Sequence, residues 1–227
     1  MAGRPKLKIC AVTNTGDARL VSEAGADYCG VLVDVGFSER SLTLERAAEV
    51  AAACTIPVVV LVCDAAPEAV EAIDRRIVPY AVQLQGSESP DYVRALKARL
   101  RCQLWKTVHD PPAPGLGSVE EYAAAGADAL VVDSSDCSEG FLRLGGTGKT
   151  GNWERAAETV RRAGIPVFLA GGIGAGNLAA ALAAVRPYGL DLCSSVEAHK
   201  GKKDPEKVRR LMETFRAAVA ALEENGK

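Results

Sequence analysis

The chain has 227 residues, a mass of 23.7 kDa, a formal net charge of −2 and a pI near 5.8. Its acidic and basic residues are interspersed, which argues against a nucleic acid or a membrane surface as partner. Seven scattered cysteines with no C-x-x-C pair favour free thiols in a reducing compartment. Because the chain also lacks a signal-peptide core and any run of roughly 18 apolar residues, we expect a cytoplasmic protein.

Eight short apolar runs follow one another along the chain, and segments with helical periodicity lie between them. The runs cover residues 7–12, 28–33, 58–63, 81–85, 102–108, 129–133, 167–171 and 190–194. The helical segments include residues 44–53, 67–78, 91–100, 119–125, 153–163, 177–185 and 205–224. Capping signals mark several helix starts: Asn14, Thr43, Ser89 before Pro90, Ser118 with Glu121, and Asp204 before Pro205.

Apolar strands that alternate with helices predict a parallel sheet covered by helices. Eight such units in one chain of this length predict a single (β/α)₈ barrel domain spanning residues 1–227. The alternative is an open, doubly wound sheet. That fold normally carries a glycine fingerprint after its first strand, where this chain has Cys10, Ala11, Val12 and Thr13.

Barrels of this kind bind ligands at the C-terminal ends of their strands, so the residues at those ends are the candidates for a site. They are Cys10, Asp34, Gln85, His109, Asp133, Gly171, Gly172, Ser194 and Ser195. Side chains alternate along a strand, so three pairs share a face: Lys8 with Cys10, Gln83 with Gln85, and Val131 with Asp133. Gly171 and Gly172 lie between a strand and the helical segment that starts at Asn177, an arrangement that suits a phosphate group.

Cys10 and Asp133 could act as base and acid on a small phosphorylated sugar without a metal or a cofactor. Each residue also has a plain structural interpretation. A strand cysteine is often a small core residue. An aspartate before Ser134 and Ser135 can simply form a turn.

Several short motifs together resemble the phosphoribosylanthranilate isomerase family nearly from end to end. They are Lys8-Ile9-Cys10, Gln83-Leu84 before Gly86, Val131-Val132-Asp133, Gly145 to Thr150 with Trp153, Ala170-Gly171-Gly172 with Asn177, and Asp191 to Glu197 followed by Gly201 to Asp204. The resemblance implies a barrel enzyme of tryptophan biosynthesis that performs an Amadori rearrangement without a cofactor.

The resemblance also implies roles for individual residues. Cys10 would be the general base at the sugar C2, and Asp133 the general acid at the ring oxygen. Gly171 and Gly172, with the segment Ser194, Ser195 and Val196, would hold the phosphate. Substrate contacts would come from Arg40, Gln85 and Asp191. In those roles the pKa of Cys10 should be lowered, with Lys8 as the nearest cation, and Asp133 should lie in a poorly solvated place.

Four positions depart from the family pattern. Ala11 replaces a glycine, Gln85 replaces a histidine, and Ser195 stands where a glycine is usual. The loop after the second run is one residue longer, lacks the usual aromatic and proline pattern, and adds Asp34. Two alternatives therefore stay open: an enzyme acting by acid-base chemistry on another phosphorylated sugar derivative, and a non-catalytic phosphate-ligand binding protein.

The remaining reactive residues have weaker interpretations. Lys106 could form a Schiff base as in barrel aldolases, although a lysine paired with a carboxylate is the simpler expectation. His109 and His199 are the two histidines of the chain and fall in loop settings, so we expect no metal site. The expected partner is a small phosphorylated sugar, and the expected assembly is a monomer or a homodimer.

Overall fold

The computed structural model describes residues 3–109, 116–133 and 152–225. Eight parallel strands form the barrel: β1 (Lys6–Ile9), β2 (Tyr28–Val33), β4 (Val58–Val62), β5 (Ala81–Leu84), β6 (Gln103–His109), β7 (Ala129–Asp133), β8 (Val167–Ala170) and β9 (Gly189–Leu192). Strand β1 pairs with β2 on one side and with β9 on the other, which closes the sheet. The predicted (β/α)₈ barrel is confirmed, and the open doubly wound sheet is wrong.

Helices follow the barrel strands and cover the outside of the sheet. They are α1 (Thr15–Ala24), α2 (Leu44–Ala52), α3 (Pro67–Ile77), α4 (Pro90–Lys97), α5 (Val119–Ala124), α6 (Trp153–Arg162), α7 (Leu178–Val185) and α8 (Pro205–Asn225). The predicted caps are confirmed, because Asn14, Thr43, Ser89, Ser118 and Asp204 each accept a backbone N–H in the first helical turn. Within the described ranges, no helix is both long and apolar enough to cross a bilayer.

The strands are apolar along their length because both of their faces are buried. All five residues of β4, V-V-V-L-V, are buried between the helices and the barrel interior. Toward the N-terminal ends of the strands, the rings of Tyr28, Trp105 and Phe168 fill the interior of the barrel. The ring centroids of Trp105 and Phe168 lie 4.7 Å apart in a stacked arrangement. This packed floor leaves room for polar side chains only toward the C-terminal ends of the strands.

Four short elements near that end were not predicted from the sequence. They are β3 (Ser41–Leu42), a 3₁₀ turn (Ser194–Val196), and the hairpin of β10 (Glu197–His199) and β11 (Lys202–Lys203). Elements of two or three residues carry too few positions for a periodic pattern. These elements matter because of where they lie. Strand β3 follows the loop after β2 and pairs with β2, and the hairpin follows β9 at the C-terminal end of the barrel.

Candidate active site

A cleft with an empty volume of about 870 Å³ opens at the C-terminal end of the barrel. Its walls bring together almost all of the predicted site residues: Cys10, Arg40, Gln85, Asp133, Gly171, Gly172, Asp191 and Ser194. These residues come from six segments, at or after the C-terminal ends of β1, β2, β5, β7, β8 and β9. Their convergence follows from the parallel strands, whose C-terminal ends all reach the same edge of the barrel.

Lys8 and Asp191 form a buried ion pair below the cleft. They are register partners on β1 and β9, and the Lys8 Nζ lies 2.6 Å from the Asp191 Oδ2. The ammonium also donates to the Gln83 Oε1 at 2.9 Å and to the Cys10 Sγ at 3.4 Å. Burial alone would lower the pKa of Lys8, but the Asp191 carboxylate and the Cys10 thiol together hold it above its usual value. Lys8 is therefore positively charged, and the Asp191 carboxylate neutralises most of that charge.

The predicted lowering of the Cys10 pKa is wrong. Cys10 is 6% exposed, and burial raises the pKa of its thiol to about 12, although Lys8 acts in the opposite direction. The effect of burial outweighs that of the Lys8 charge, which is also shared with Asp191, and the Asp191 carboxylate raises the pKa of Cys10 further. The side chain nevertheless points toward the cleft, as the alternation along β1 predicts.

Asp133 lies in the poorly solvated setting that was predicted for it. Burial, with a smaller contribution from the Asp191 charge, raises the pKa of this carboxyl to about 6. Its Oδ1 is buried and has no hydrogen-bond partner among the described residues. A buried carboxyl oxygen without a partner on the wall of a cleft is available to a ligand.

Gln85 belongs to a network of neutral side chains beside Asp133. Its Oε1 accepts from the Thr107 Oγ1 at 2.8 Å and from the Gln83 Nε2 at 3.0 Å. Gln83 in turn accepts from Lys8, so the network connects the floor of the cleft to the ion pair. The Gln85 side chain also interacts with Asp133 and tends to lower its pKa. The predicted same-face pair of Gln83 and Gln85 is confirmed.

The glycine loop after β8 is shaped by two left-handed residues and by Asn177. Gly171 and Gly172 have φ values of 88° and 63°, a region that side chains rarely adopt. The Asn177 Nδ2 donates to the Gly172 carbonyl at 3.0 Å, and its Oδ1 accepts from the Gly174 N–H at 2.8 Å. Asn177 therefore ties the loop together, although the sequence suggested only that it opens helix α7.

The two serines after β9 point in different directions. Ser194 lines the cleft, whereas Ser195 lines a separate surface cavity with Lys207 and Arg210. In a 3₁₀ turn each residue rotates the side-chain direction by about 120°, so neighbours cannot face the same wall. The Ser195 side chain therefore lies outside the cleft, and a contact between the backbone at Ser195 and a phosphate stays a prediction.

The longer loop after β2 changes the cleft in a way that the sequence did not reveal. Asp34 is exposed and is not part of the cleft wall, so the expected acidic addition to the site is wrong. Phe37 instead forms part of the wall while remaining 64% exposed. The loop thus still places an aromatic ring, that of Phe37, at the cleft, although the usual aromatic pattern of the family is missing from its sequence. Arg40, from the same loop, is the one cation among the described lining residues.

The backbone conformation at Ala11 explains why glycine is usual at this position in the family. It has a φ of 58°, which costs an L-residue with a Cβ roughly 1–2 kcal/mol.

Lys106 does not reach the cleft: its Nζ lies 3.1 Å from the Glu88 Oε2, so the simpler expectation of a carboxylate pair is confirmed. His199 is exposed, as predicted. The stretch 145–150, residues 134–136 and the His109 side chain lie outside the described residues.

The comparisons with known proteins point to one family. The sequence model for N-(5'-phosphoribosyl)anthranilate (PRA) isomerase matches residues 7–214. The N-(5'-phosphoribosyl)anthranilate isomerase of Methanocella arvoryzae is 37% identical over 215 residues, which cover 93% of this chain and 98% of the relative. That of Halorubrum lacusprofundi is 39% identical over 214 residues, covering 91% and 94%.

A solved structure agrees with the sequence comparisons. The phosphoribosyl anthranilate isomerase of Thermus thermophilus superimposes with a TM-score of 0.76 at 32% identity, covering 96% of this chain and 99% of that protein. The family match spans most of the chain and includes the strands that carry Cys10, Asp133 and the glycine loop. This chain therefore belongs to the N-(5'-phosphoribosyl)anthranilate isomerase family.

Proposed function

We propose that the chain catalyses the Amadori rearrangement of N-(5-phosphoribosyl)anthranilate to 1-(o-carboxyphenylamino)-1-deoxyribulose 5-phosphate, a step of tryptophan biosynthesis. The observation that carries the proposal is the presence of Cys10 and Asp133 on the wall of one cleft, beside a glycine loop. Family membership supports the same reaction. The chemistry needs one proton donor and one proton acceptor, and this cleft offers both.

Asp133 is the proposed general acid. Its proton passes to the ring oxygen of the ribose, the C1–O bond breaks, and the nitrogen lone pair forms a protonated imine. The raised pKa of about 6 keeps the carboxyl protonated more readily than a solvated aspartate would be. Its unpartnered Oδ1 leaves the group free to reach the ring oxygen.

Cys10 is the proposed general base. Its thiolate removes the proton from C2, the electron pair of the C–H bond forms a C1–C2 double bond, and the imine nitrogen becomes neutral. The resulting enolamine gives the amino-ketose when C1 gains a proton and the C2 hydroxyl loses one. The Lys8 ammonium, 3.4 Å from the sulfur, stabilises the thiolate that this step requires.

The phosphate of the substrate is proposed to bind at the glycine loop. Gly171 and Gly172 allow a close approach of their backbone, and Asn177 holds the loop in shape. Ser194 lines the same cleft. The sugar phosphate would then extend from this loop toward Cys10 and Asp133 in the centre of the cleft.

The anthranilate ring is proposed to bind at the opposite side, against Phe37. Leu32, Val35 and Ile173 add apolar surface to the same cleft. Arg40 supplies the positive charge that the ring carboxylate requires. The neutral Gln85, which departs from the family histidine, contacts Asp133 rather than adding a second cation.

Turnover of the purified protein and rescue of an isomerase-deficient tryptophan auxotroph test this function. We expect conversion of N-(5-phosphoribosyl)anthranilate to the amino-ketose in vitro and growth without tryptophan. Soluble protein that neither rescues growth nor converts the substrate would overturn the proposal. Turnover of another phosphorylated sugar in a substrate panel would then identify a divergent enzyme, and ligand binding without turnover would identify a binding protein.

Gly30 on β2 gives a test of how tightly Cys10 is placed. A Cβ at Gly30 would lie 2.8 Å from the Cys10 Sγ and 2.9 Å from its Cα, distances that force the strand or the thiol to move. We expect Gly30→Ala to lower the free energy of unfolding by about 1–3 kcal/mol and kcat/KM by roughly 100-fold. Steady-state kinetics and urea unfolding would measure both effects.

Gly36→Ala is the matched control, because a Cβ at Gly36 meets no atom within 4 Å. It should leave stability and kcat/KM within about twofold of the wild type. If Gly30→Ala retained wild-type kcat/KM, the position of Cys10 would not matter for the reaction.

A further inference from the structure

Glu197, the first residue of β10, lies behind the cleft and contacts several segments at once. Its Oε1 accepts from the Arg40 Nε at 2.8 Å, and its Oε2 accepts from the Arg40 Nη2 at 2.6 Å. The Oε1 also accepts from the Lys203 Nζ at 3.3 Å and from the Gly201 N–H at 3.2 Å. Glu197 is buried, and Lys203 is buried as well.

This carboxylate fixes both the plane and the direction of the Arg40 guanidinium. The two parallel hydrogen bonds form a bidentate pair, which sets orientation as well as distance. They use the Nε and Nη2 donors, and among the described residues the Nη1 has no hydrogen-bond partner. Arg40 lines the cleft, so a free edge of the guanidinium is left for a ligand.

The charges around Glu197 leave that edge attractive to an anion. Arg40 and Lys203 carry one positive charge each and Glu197 one negative charge, so the cluster keeps a net charge of about +1. Although burial alone would raise it, Arg40 and Lys203 hold the pKa of Glu197 below its usual value. The hydrogen bond to Glu197 raises the pKa of Arg40 further. Arg40 and Glu197 therefore both stay charged at neutral pH.

We propose that Glu197 is a positioning residue that aims Arg40 at the carboxylate of the aryl amine and so makes the site selective for carboxylated substrates. The inference rests on the proposed function. A guanidinium that is already oriented loses less side-chain entropy when it binds a carboxylate. Without Glu197, Arg40 would keep its charge and lose its orientation.

The test measures the dissociation constants of two analogues of the product by calorimetry. One is the reduced form of 1-(o-carboxyphenylamino)-1-deoxyribulose 5-phosphate, and the other is the phenylamino compound that lacks the carboxyl group. We expect the wild type to prefer the carboxylated analogue, and Glu197→Gln to reduce this preference roughly 10- to 100-fold. In kinetics the same variant should raise KM much more than it lowers kcat.

Asp17→Asn is the matched control. Asp17 is also a buried carboxylate that holds the β10–β11 hairpin, since it accepts the Lys203 N–H at 2.7 Å and pairs with Lys202, but it makes no hydrogen bond to Arg40. It should weaken the hairpin while leaving the preference between the analogues unchanged. Glu197→Asp, which keeps the charge on a shorter side chain, should give an intermediate loss and provides a second variant if Glu197→Gln fails to fold.

The outcomes separate this inference from the proposed function. If the wild type binds neither analogue, the proposed function fails. If the wild type prefers the carboxylated analogue and both Glu197 variants keep that preference, the positioning role is wrong. An equal loss of preference in Asp17→Asn would overturn it too, because the effect would then come from the hairpin and not from Arg40.

Discussion

Replacing Cys10 by Ala is expected to lower kcat by roughly 10²- to 10⁴-fold while changing KM little. The proposed reaction cannot proceed until a base takes the proton from C2, and the other thiol of the described cleft wall, that of Cys193, contacts Glu197 instead of Lys8. Burial raises the pKa of Cys10 and makes it a poor base, so formation of its thiolate depends on the nearby Lys8 ammonium and on a substrate bound close to the sulfur. Steady-state kinetics on N-(5-phosphoribosyl)anthranilate would measure the change.

Cys193→Ser separates a general effect of removing a thiol from the specific effect at Cys10. Cys193 lines the same cleft, one residue beyond β9, and its thiol contacts Glu197 rather than Lys8. We expect a change of less than about fivefold in kcat. If Cys10→Ala and Cys193→Ser lowered kcat to the same extent, Cys10 would not be the base.

The barrel was predictable because its strands carry a strong local pattern. Runs such as residues 58–62 are apolar at every position, and the helices between them begin at capping residues such as Ser118. The meeting of Cys10 and Asp133 followed from the fold alone, since both stand at strand ends of one barrel. Side-chain alternation also placed Lys8 beside Cys10.

The electrostatics of the site could not be predicted in the same way. Lys8 acts to lower the pKa of Cys10, as expected, but burial outweighs it, and the ammonium is paired with Asp191, which lies 183 positions away in the chain. The bond between Arg40 and Glu197 spans 157 positions and joins the loop after β2 to the short strand β10. Such contacts depend on the folded geometry and leave no periodic signal in the sequence.

The loops were the least predictable part of the site. The extra residue after β2 suggested that Asp34 enters the cleft and that the aromatic contact is lost, whereas Phe37 lies on the wall and Asp34 does not. Ser194 and Ser195 are neighbours in the sequence, but the 3₁₀ turn directs only Ser194 to the cleft and Ser195 to a separate cavity. In both cases the direction of the backbone, which changes from one residue to the next, decides which side chain lines the cleft, and composition does not encode that direction.

Asp133→Asn is expected to remove most of the activity and at the same time to stabilise the fold. Loss of the general acid should lower kcat by roughly 10²- to 10⁴-fold. In the folded wild type, burial raises the pKa of this carboxyl from 3.8 to about 6, so the folded state is penalised for holding the carboxylate. Since each pKa unit corresponds to about 1.4 kcal/mol, an uncharged amide should raise the free energy of unfolding by about 1–3 kcal/mol at pH 8.

The sign of this stability effect can be checked by changing the pH. At pH 4, just above the unfolded pKa of 3.8, the carboxyl is protonated in the folded state and about half ionised in the unfolded state, so Asp133→Asn should bring only a small gain. The gain should grow as the pH rises to about 6 and stay constant above it. Urea unfolding at pH 4, 6 and 8 measures the difference. Equal stability of variant and wild type at pH 8 would contradict the raised pKa.

The same two groups determine the pH dependence of catalysis. With a thiol of pKa about 12 and a carboxyl of pKa about 6, the productive thiolate and acid form is a minor species at neutral pH. Between these values the thiolate fraction rises as fast as the acid fraction falls, so wild-type kcat/KM should be flat from about pH 6 to 9 and should fall below pH 6. In Asp133→Asn only Cys10 titrates, so the residual kcat/KM should rise about tenfold per pH unit across that range. A flat profile in the variant would show that Asp133 does not supply the proton, even if its activity were low.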